Sequence, residues 1–173
     1  MVSGDYTDQN EEEAISMPLD ARQFYWMAPP FEEQPLFRAP EDVVAGWMEI
    51  ANQACSELRN FGLPATVLAA EDRVGLGGDP GGQVIVCNAR PFGVILAWEP
   101  PLRGSEEFKN AVLSRSTDSP LLKYIVEGKE LMSMACIRLL AAAGFTTAIE
   151  GFEGSGFTYR ILFTPRNSVV EYR

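Results

Sequence analysis

The chain has 173 residues, of which 46% are hydrophobic, and it carries a net charge of −10. This length suits one domain, and the ordinary apolar content excludes a wholly disordered chain. Histidine is absent, which removes many hydrolase and metal chemistries that depend on an imidazole. No apolar run reaches the roughly 18 residues of a membrane-spanning helix, and the first 15 residues are acidic and polar, unlike a signal peptide.

The negative charge is concentrated at one end of the chain. Residues 1–42 carry ten acidic and two basic side chains, whereas the remaining residues carry 14 acidic and 12 basic ones. A protein that binds nucleic acid neutralises the phosphate backbone with lysine and arginine. We therefore expect no direct contact with nucleic acid. An acidic segment of this kind suits either a basic protein surface or simple solvation.

The three cysteines, Cys55, Cys87 and Cys136, are widely separated and lie in apolar segments. This spacing is typical of small buried side chains in a reducing compartment and not of a zinc cluster or a redox pair. We therefore expect a cytoplasmic or virion-associated protein that is not secreted through a signal peptide and does not bind a membrane.

Two segments precede the first predicted helix. Residues 1–17 are an acidic tail without hydrophobic periodicity, and residues 18–40 contain five prolines, which disfavour a helix or a central strand. We interpret residues 18–40 as an extended arm whose aromatic rings bury themselves in a groove of the same subunit or of a neighbour. The predicted partner-binding residues are these aromatics: Phe24, Tyr25, Trp26, Phe31 and Phe37.

Periodicity then predicts one α+β domain over residues 41–173. The expected elements are a long helix at 41–61, strands at 65–71, 83–87 and 92–98, a short helix at 105–113, a second long helix from Ser119 to about Ala143, a hairpin of 145–152 with 157–164, and an optional edge strand at 168–172. The predicted fold packs the two long helices on one face of a mostly antiparallel sheet of five or six strands, in the order α-β-β-β-α-β-β, with a further β if 168–172 pairs.

The second long helix carries few charges, so we expect most of its circumference to be covered. Gly128 at its centre predicts close backbone packing at that point, because glycine inside a helix costs about 1 kcal/mol relative to alanine.

Two features invite a chemical interpretation. The glycine-rich run at 75–82 lacks a phosphate-loop spacing and precedes a strand, so we interpret it as a hairpin loop. Asp79 and Glu99 flank strands as the carboxylates of a metal-dependent nuclease do, but Pro100 and Pro101 stand where a lysine would be expected. A carboxylate or lone-cysteine enzyme is the weakest interpretation, and no catalytic residue, cofactor or metal ligand is predicted.

The leading hypothesis is a non-enzymatic assembly subunit, of the kind that builds a phage head, neck or tail. Its arm would dock on neighbouring subunits, which implies a homo-oligomer or other protein partners. The alternative is an acidic module that occupies a basic protein surface, either as a chaperone or as an anti-defence inhibitor. Over residues 41–164, the element order and the low pI are similar to those of small acidic secretion chaperones, a similarity that carries no residue motif.

Overall fold

A computed structural model of the chain describes residues 38–70, 79–89, 91–114, 119–152 and 156–165. Three α-helices and five strands lie within these ranges: α1 (Glu41–Asn60), β1 (Ala65–Ala69), β2 (Gly81–Cys87), β3 (Gly93–Glu99), α2 (Glu106–Leu113), α3 (Pro120–Ala142), β4 (Thr146–Phe152) and β5 (Gly156–Phe163). The α+β class is confirmed, and the helices and strands follow the predicted order. Residues 18–37 of the predicted arm and the predicted strand at 168–172 lie outside the described residues.

The five strands form one mixed sheet in the order β1-β2-β3-β5-β4. β1 runs parallel to β2, whereas the β2–β3, β3–β5 and β5–β4 pairs are antiparallel. A hairpin joins antiparallel strands, so the prediction of a hairpin loop between the first two strands is wrong. The error arose because apolar runs show where strands lie but carry no information about their direction.

The two glycines that close the run at 75–82 belong to β2 itself. The amide of Gly82 donates to the Pro64 carbonyl oxygen at 2.8 Å, which brings β2 against the residue that precedes β1. A Cβ on Gly81 would lie 2.4 Å from that oxygen, and Gly81 has a φ of 128°. Glycine is therefore required at position 81 for close backbone approach and not for loop flexibility.

Helix α1 begins after Pro40 and carries Glu41 and Asp42 in its first turn, where acidic side chains complement the helix dipole. Its buried face presents Trp47, Ile50, Ala51, Ala54, Cys55 and Leu58. The helix ends at Asn60, and Gly62, just beyond its C-cap, has a φ of 79°, the left-handed conformation that terminates helices. The predicted start of this helix at residue 41 and its end before Gly62 are thus confirmed.

Both long helices pack against the same face of the sheet. The core combines Leu58 of α1 and Ile137 of α3 with Val84, Leu96 and Ile161 of the three central strands. Successive strand residues point to opposite faces, so the intervening residues form what we call the second face. That face includes Gln83, Ile85, Ile95, Ala97 and Arg160.

Helix α3 begins as predicted, with the Ser119 side chain accepting a hydrogen bond from the Leu122 amide at 3.4 Å and Pro120 in the first turn. Its circumference is not mostly covered, however, because Tyr124 and Leu131 are 65% and 70% exposed. The prediction of close packing at Gly128 is also wrong, since a Cβ there would meet no atom within 4 Å. A low density of charge therefore did not indicate burial.

A buried arginine ties β5 to the connection between β2 and β3. Arg160 is 3% exposed and donates to the carbonyl oxygens of Pro91 and Phe92, while its Nε lies 2.6 Å from an oxygen of Glu150. Phe92 has a φ of 47°, which is unusual for a residue other than glycine. At the same end of the sheet the Ala39 amide donates to the Asn88 carbonyl at 2.7 Å, which fixes where the chain enters the domain.

Substitution of Gly81 and substitution of Gly128 should have opposite effects on stability. We expect Gly81→Ala to lower the free energy of unfolding by about 1–3 kcal/mol, because the new Cβ meets backbone and the positive φ is strained. We expect Gly128→Ala to raise it by about 0.5–1 kcal/mol, because helix propensity improves and the space is open. Urea denaturation of both variants measures the two changes, and a stable Gly81→Ala protein would contradict the close approach to Pro64.

Candidate functional site

β3 and β5 separate part of the way along the sheet. They pair from Val94–Ile161 to Leu96–Tyr159, and two positions further in the same register Trp98 would lie opposite Phe157. The described pairing stops before that point, and the Trp98 amide instead donates to the Ser133 hydroxyl of α3 at 3.0 Å. A side chain from the helix thus replaces a strand partner and leaves a gap between the two strands.

The gap is a cleft of about 300 Å³. One part of its lining is apolar and consists of Ile85, Pro91, Ile95, Leu96, Ala97 and Phe157. The other part is polar and consists of Lys129, Glu130, Ser133, Thr158 and Tyr159. Small-molecule sites usually measure about 300–1,000 Å³, so the cleft suits one or two side chains better than a large cofactor.

Tyr159 and Glu130 form the main polar contact of the cleft. The Tyr159 hydroxyl lies 3.1 Å from a carboxylate oxygen of Glu130, to which it donates, and the tyrosine is 4% exposed. Burial raises the pKa of Tyr159 to about 12, and the hydrogen bond and negative charge of Glu130 act in the same direction. Tyr159 therefore keeps its proton at neutral pH and serves as a donor, not as a base.

Ser133 and the three cysteines are engaged or buried. The hydroxyl oxygen of Ser133 accepts the Trp98 bond, and Cys55, Cys87 and Cys136 are all buried free thiols. Burial raises the pKa of Cys55 and raises that of Cys136 to about 11. A reactive cysteine needs a lowered pKa, so these two thiols are suited to packing and not to catalysis.

Asp79 and Glu99, the two carboxylates compared above with a nuclease metal site, have different environments. Asp79 is exposed, whereas Glu99 is 3% exposed and one of its oxygens lies 2.6 Å from an Arg103 nitrogen. The other Glu99 oxygen has no hydrogen-bond partner. Within the described ranges, no group of three or more cysteine, aspartate or glutamate side chains has the arrangement of a metal site.

Apolar side chains are exposed on the two helices that follow β3. Leu113 at the end of α2 is 79% exposed, and Tyr124 and Leu131 lie at helical spacing on α3. Exposed apolar side chains of this size are typical of protein contact surfaces when they lie close together. No helix among the described residues combines the length and the apolar character needed to cross a membrane.

The predicted partner-binding aromatics, Phe24, Tyr25, Trp26, Phe31 and Phe37, all lie outside the described residues, so that prediction remains open. The cleft was not predicted. Its apolar strand residues are indistinguishable from core residues in the sequence, and no local pattern marks where two distant strands stop pairing.

The described elements define an α+β domain in which two long helices cover one face of a mixed sheet. Comparison of the chain with protein-family models, with curated proteins and with solved structures found no match.

The thiols provide a direct test of the buried packing. In the native protein at pH 8 we expect a thiol reagent to react slowly, because all three sulfur atoms are buried and burial raises the pKa of both Cys55 and Cys136. After unfolding in guanidinium chloride, all three cysteines should react. The kinetics of colour release by an aromatic disulfide measure both states, and one rapidly reacting thiol in the native state would contradict this assignment.

The raised pKa of Tyr159 predicts how stability depends on alkaline pH. Between about pH 10 and 12 the folded state retains a proton that the unfolded state loses, so the free energy of unfolding should fall as the pH rises through this interval. We expect Tyr159→Phe to be less stable at pH 7, because the bond to Glu130 is lost, and to show a shallower alkaline decline. Urea titrations of both proteins at a series of pH values measure this, with Tyr124→Phe as the exposed control. Identical slopes for Tyr159→Phe and the parent would contradict the prediction.

Proposed function

We propose that the protein is a non-enzymatic assembly subunit of a larger complex, of the kind that builds a phage head, neck or tail. In this proposal the arm over residues 18–40 docks on neighbouring subunits, and its aromatic rings supply the anchors. The observation that carries the proposal is the combination of this arm with a folded body that itself exposes apolar side chains, among them Leu113, Tyr124 and Leu131. Aromatic residues in desolvated pockets dominate the binding energy of many interfaces.

The chemistry of the described groups favours binding over catalysis. Ser133 is committed to a backbone bond, Tyr159 holds its proton, and the thiol of Cys136 has a raised pKa. Catalytic acids and bases have pKa values matched to their task near neutral pH. These groups are better suited to holding the domain together than to moving a proton for a substrate.

The sheet also offers edges for assembly. Among the described residues, β1 and β4 are the outer strands in the order β1-β2-β3-β5-β4, and an outer strand is able to pair with a strand from another chain. Such pairing would allow a sheet to continue across a subunit interface. It would supplement the contacts of the arm.

The second candidate is an acidic module that occupies a basic protein surface. It is favoured by one observation, the ten acidic and two basic side chains of residues 1–42. Attraction between exposed charges is screened by salt, so binding of this kind weakens strongly as the salt concentration rises. Docking through aromatic rings depends much less on salt.

We expect the full-length chain to be an oligomer and the double variant Trp26→Ala/Phe31→Ala to be a monomer, because the arm loses two anchors. Light scattering on a sizing column measures the mass of each. The matched control is Tyr6→Ala, which removes an aromatic ring from the acidic tail and should leave the mass unchanged.

Two outcomes would reject the assembly proposal. The first is a full-length chain that is monomeric at all concentrations, and the second is an oligomer that the double variant leaves intact. A monomer that captures a basic protein at low salt and releases it at high salt would instead support the acidic module.

A further inference from the structure

The outward side of α3 carries a regular row of residues that its own subunit does not cover. Their spacing alternates between four and three positions, and all of them are exposed or half-buried. They are Tyr124, Gly128, Leu131, Ala135, Arg138 and Ala142, and we call them the outer stripe. This is the spacing of the contact positions in a pair of coiled helices. Ser133 and Ile137, which are buried, lie on the opposite side of the helix, so the outer stripe faces away from the sheet.

The other long helix shows what an outward side looks like when it faces water. The exposed residues of α1 are mainly polar or charged, among them Asp42, Glu49, Asn52, Gln53 and Ser56. This is the ordinary pattern of an amphipathic helix at a protein surface. In the outer stripe of α3, by contrast, Arg138 is the one charged residue of the six. The two helices cover the same sheet, and α3 is the one whose outward side has the composition of a contact surface.

Large and small side chains alternate along the outer stripe. The three large ones are seven residues apart, at Tyr124, Leu131 and Arg138. The three small ones have the same period, at Gly128, Ala135 and Ala142. Such a surface is complementary to a second copy of itself that runs antiparallel, because each large side chain then meets a small one across the contact. A contact of this kind has two-fold symmetry, which is the commonest symmetry of protein oligomers.

One antiparallel register uses all six positions. In this register the two-fold axis lies midway between Leu131 and Ala135, so that these two residues lie opposite each other in the two copies. The remaining opposite pairs are Tyr124 with Ala142 and Gly128 with Arg138. A shift of the register by seven residues would leave part of the outer stripe without an opposite position.

This register also gives Gly128 a role. A Cβ at Gly128 would meet no atom within 4 Å, so packing inside the subunit does not require glycine, although glycine in a helix costs about 1 kcal/mol relative to alanine. Opposite the long side chain of Arg138 from a second copy, the missing side chain provides the space that the arginine needs.

Charge favours the same register and the antiparallel direction. Arg138 and Glu127 are both exposed, and within the described ranges neither forms an ion pair. They are eleven residues apart, which is about three helical turns, so they lie on the same flank of α3. In the proposed register, Arg138 of each copy lies within about 1.5 Å, along the helix axis, of the level of Glu127 of the other copy. A parallel pair would instead bring like charges together, which is unfavourable.

The size of the contact suits an assembly that is held by more than one interface. Since α3 has 23 residues, it is about 35 Å long, and a face about 10 Å wide would bury about 700 Å² over the two copies. Stable protein pairs usually bury at least about 1,200 Å². The helix pair is therefore weak alone and adds to the contacts of the arm.

We propose that α3 pairs with α3 of a second copy through the outer stripe, antiparallel and with the two-fold axis between Leu131 and Ala135. This inference rests on the proposed assembly function and deepens it, because it names a contact between the copies. Every residue of this contact lies within the described ranges.

Disulfide formation in the full-length chain tests both the contact and its register. In Tyr124→Cys/Ala142→Cys, each new thiol lies opposite the other substituted position of the second copy, whereas the two thiols of one chain are about 27 Å apart. The matched control, Tyr124→Cys/Ala135→Cys, changes the same face but places the thiols about 10 Å out of register. A disulfide requires Cα atoms within about 7 Å. After mild oxidation, a non-reducing denaturing gel gives the mass, and the oxidised parent shows the background from the buried native cysteines.

We expect a doubled mass for Tyr124→Cys/Ala142→Cys and the mass of the single chain for the control and the parent. Equal dimer yields from the two variants would overturn the proposal, because the contacts would then be random collisions. A dimer from the control alone would overturn the register. The absence of a dimer from both variants would overturn the contact itself.

Exchange of the two charges provides a second measurement, made at low salt in the Tyr124→Cys/Ala142→Cys background. We expect Glu127→Arg and Arg138→Glu each to lower the yield of disulfide-linked dimer, because like charges then meet across the contact. The double exchange should restore the yield, which a role of either residue within its own subunit would not produce. Unchanged yields in both single exchanges would contradict the pairing of Arg138 with Glu127.

The failure of this inference is distinguishable from the failure of the proposed function. If Trp26→Ala/Phe31→Ala dissociates the oligomer but Tyr124→Cys/Ala142→Cys forms no dimer, assembly through the arm stands and the helix contact is wrong. If the oligomer survives in Trp26→Ala/Phe31→Ala and the register-specific disulfide forms, the helix contact stands and docking through the arm is wrong.

Discussion

The fold depends on the burial of one face of the sheet beneath two helices that approach it from distant parts of the chain. Leu58 of α1 and Ile137 of α3 share one core with Val84 of β2 and Leu96 of β3, and all four are almost completely removed from water. Each such side chain contributes about 1.5–3 kcal/mol on burial. The helices therefore hold the sheet in place, and the position of α3 in turn determines where the strands beneath it are able to pair.

The position of α3 over the sheet explains how the cleft forms. Ser133 lies on the buried side of α3 and supplies the acceptor for the Trp98 amide, so β3 satisfies this donor without a partner strand. A buried amide without an acceptor is costly, and the hydroxyl allows β3 and β5 to part without that cost. The same turn of the helix brings Lys129 and Glu130 to the lining, so one helix both opens the gap and furnishes its charges.

The sequence was informative where a feature depends on neighbouring residues. Helical periodicity located α1, Ser119 and Pro120 marked the start of α3, and alternation located the final hairpin. The sequence was not informative where a feature depends on residues that are far apart in the chain. The parallel pairing of β1 with β2 and the end of the β3–β5 ladder are set by tertiary packing, and exposed Leu131 has the same local pattern as a buried leucine. The cleft, which is lined by residues of β2, β3, β5 and α3, was therefore beyond local analysis.

The buried arginine has a consequence for the order in which the domain is able to form. Arg160 donates to the carbonyls of Pro91 and Phe92, and the Phe92 contact spans 68 residues of sequence. The turn between β2 and β3, with its positive φ at Phe92, lacks this support until β5 has been added. Arg160 follows the β2–β3 hairpin in the chain, so its two bonds to the turn require the closure of a long loop, which has an entropic cost.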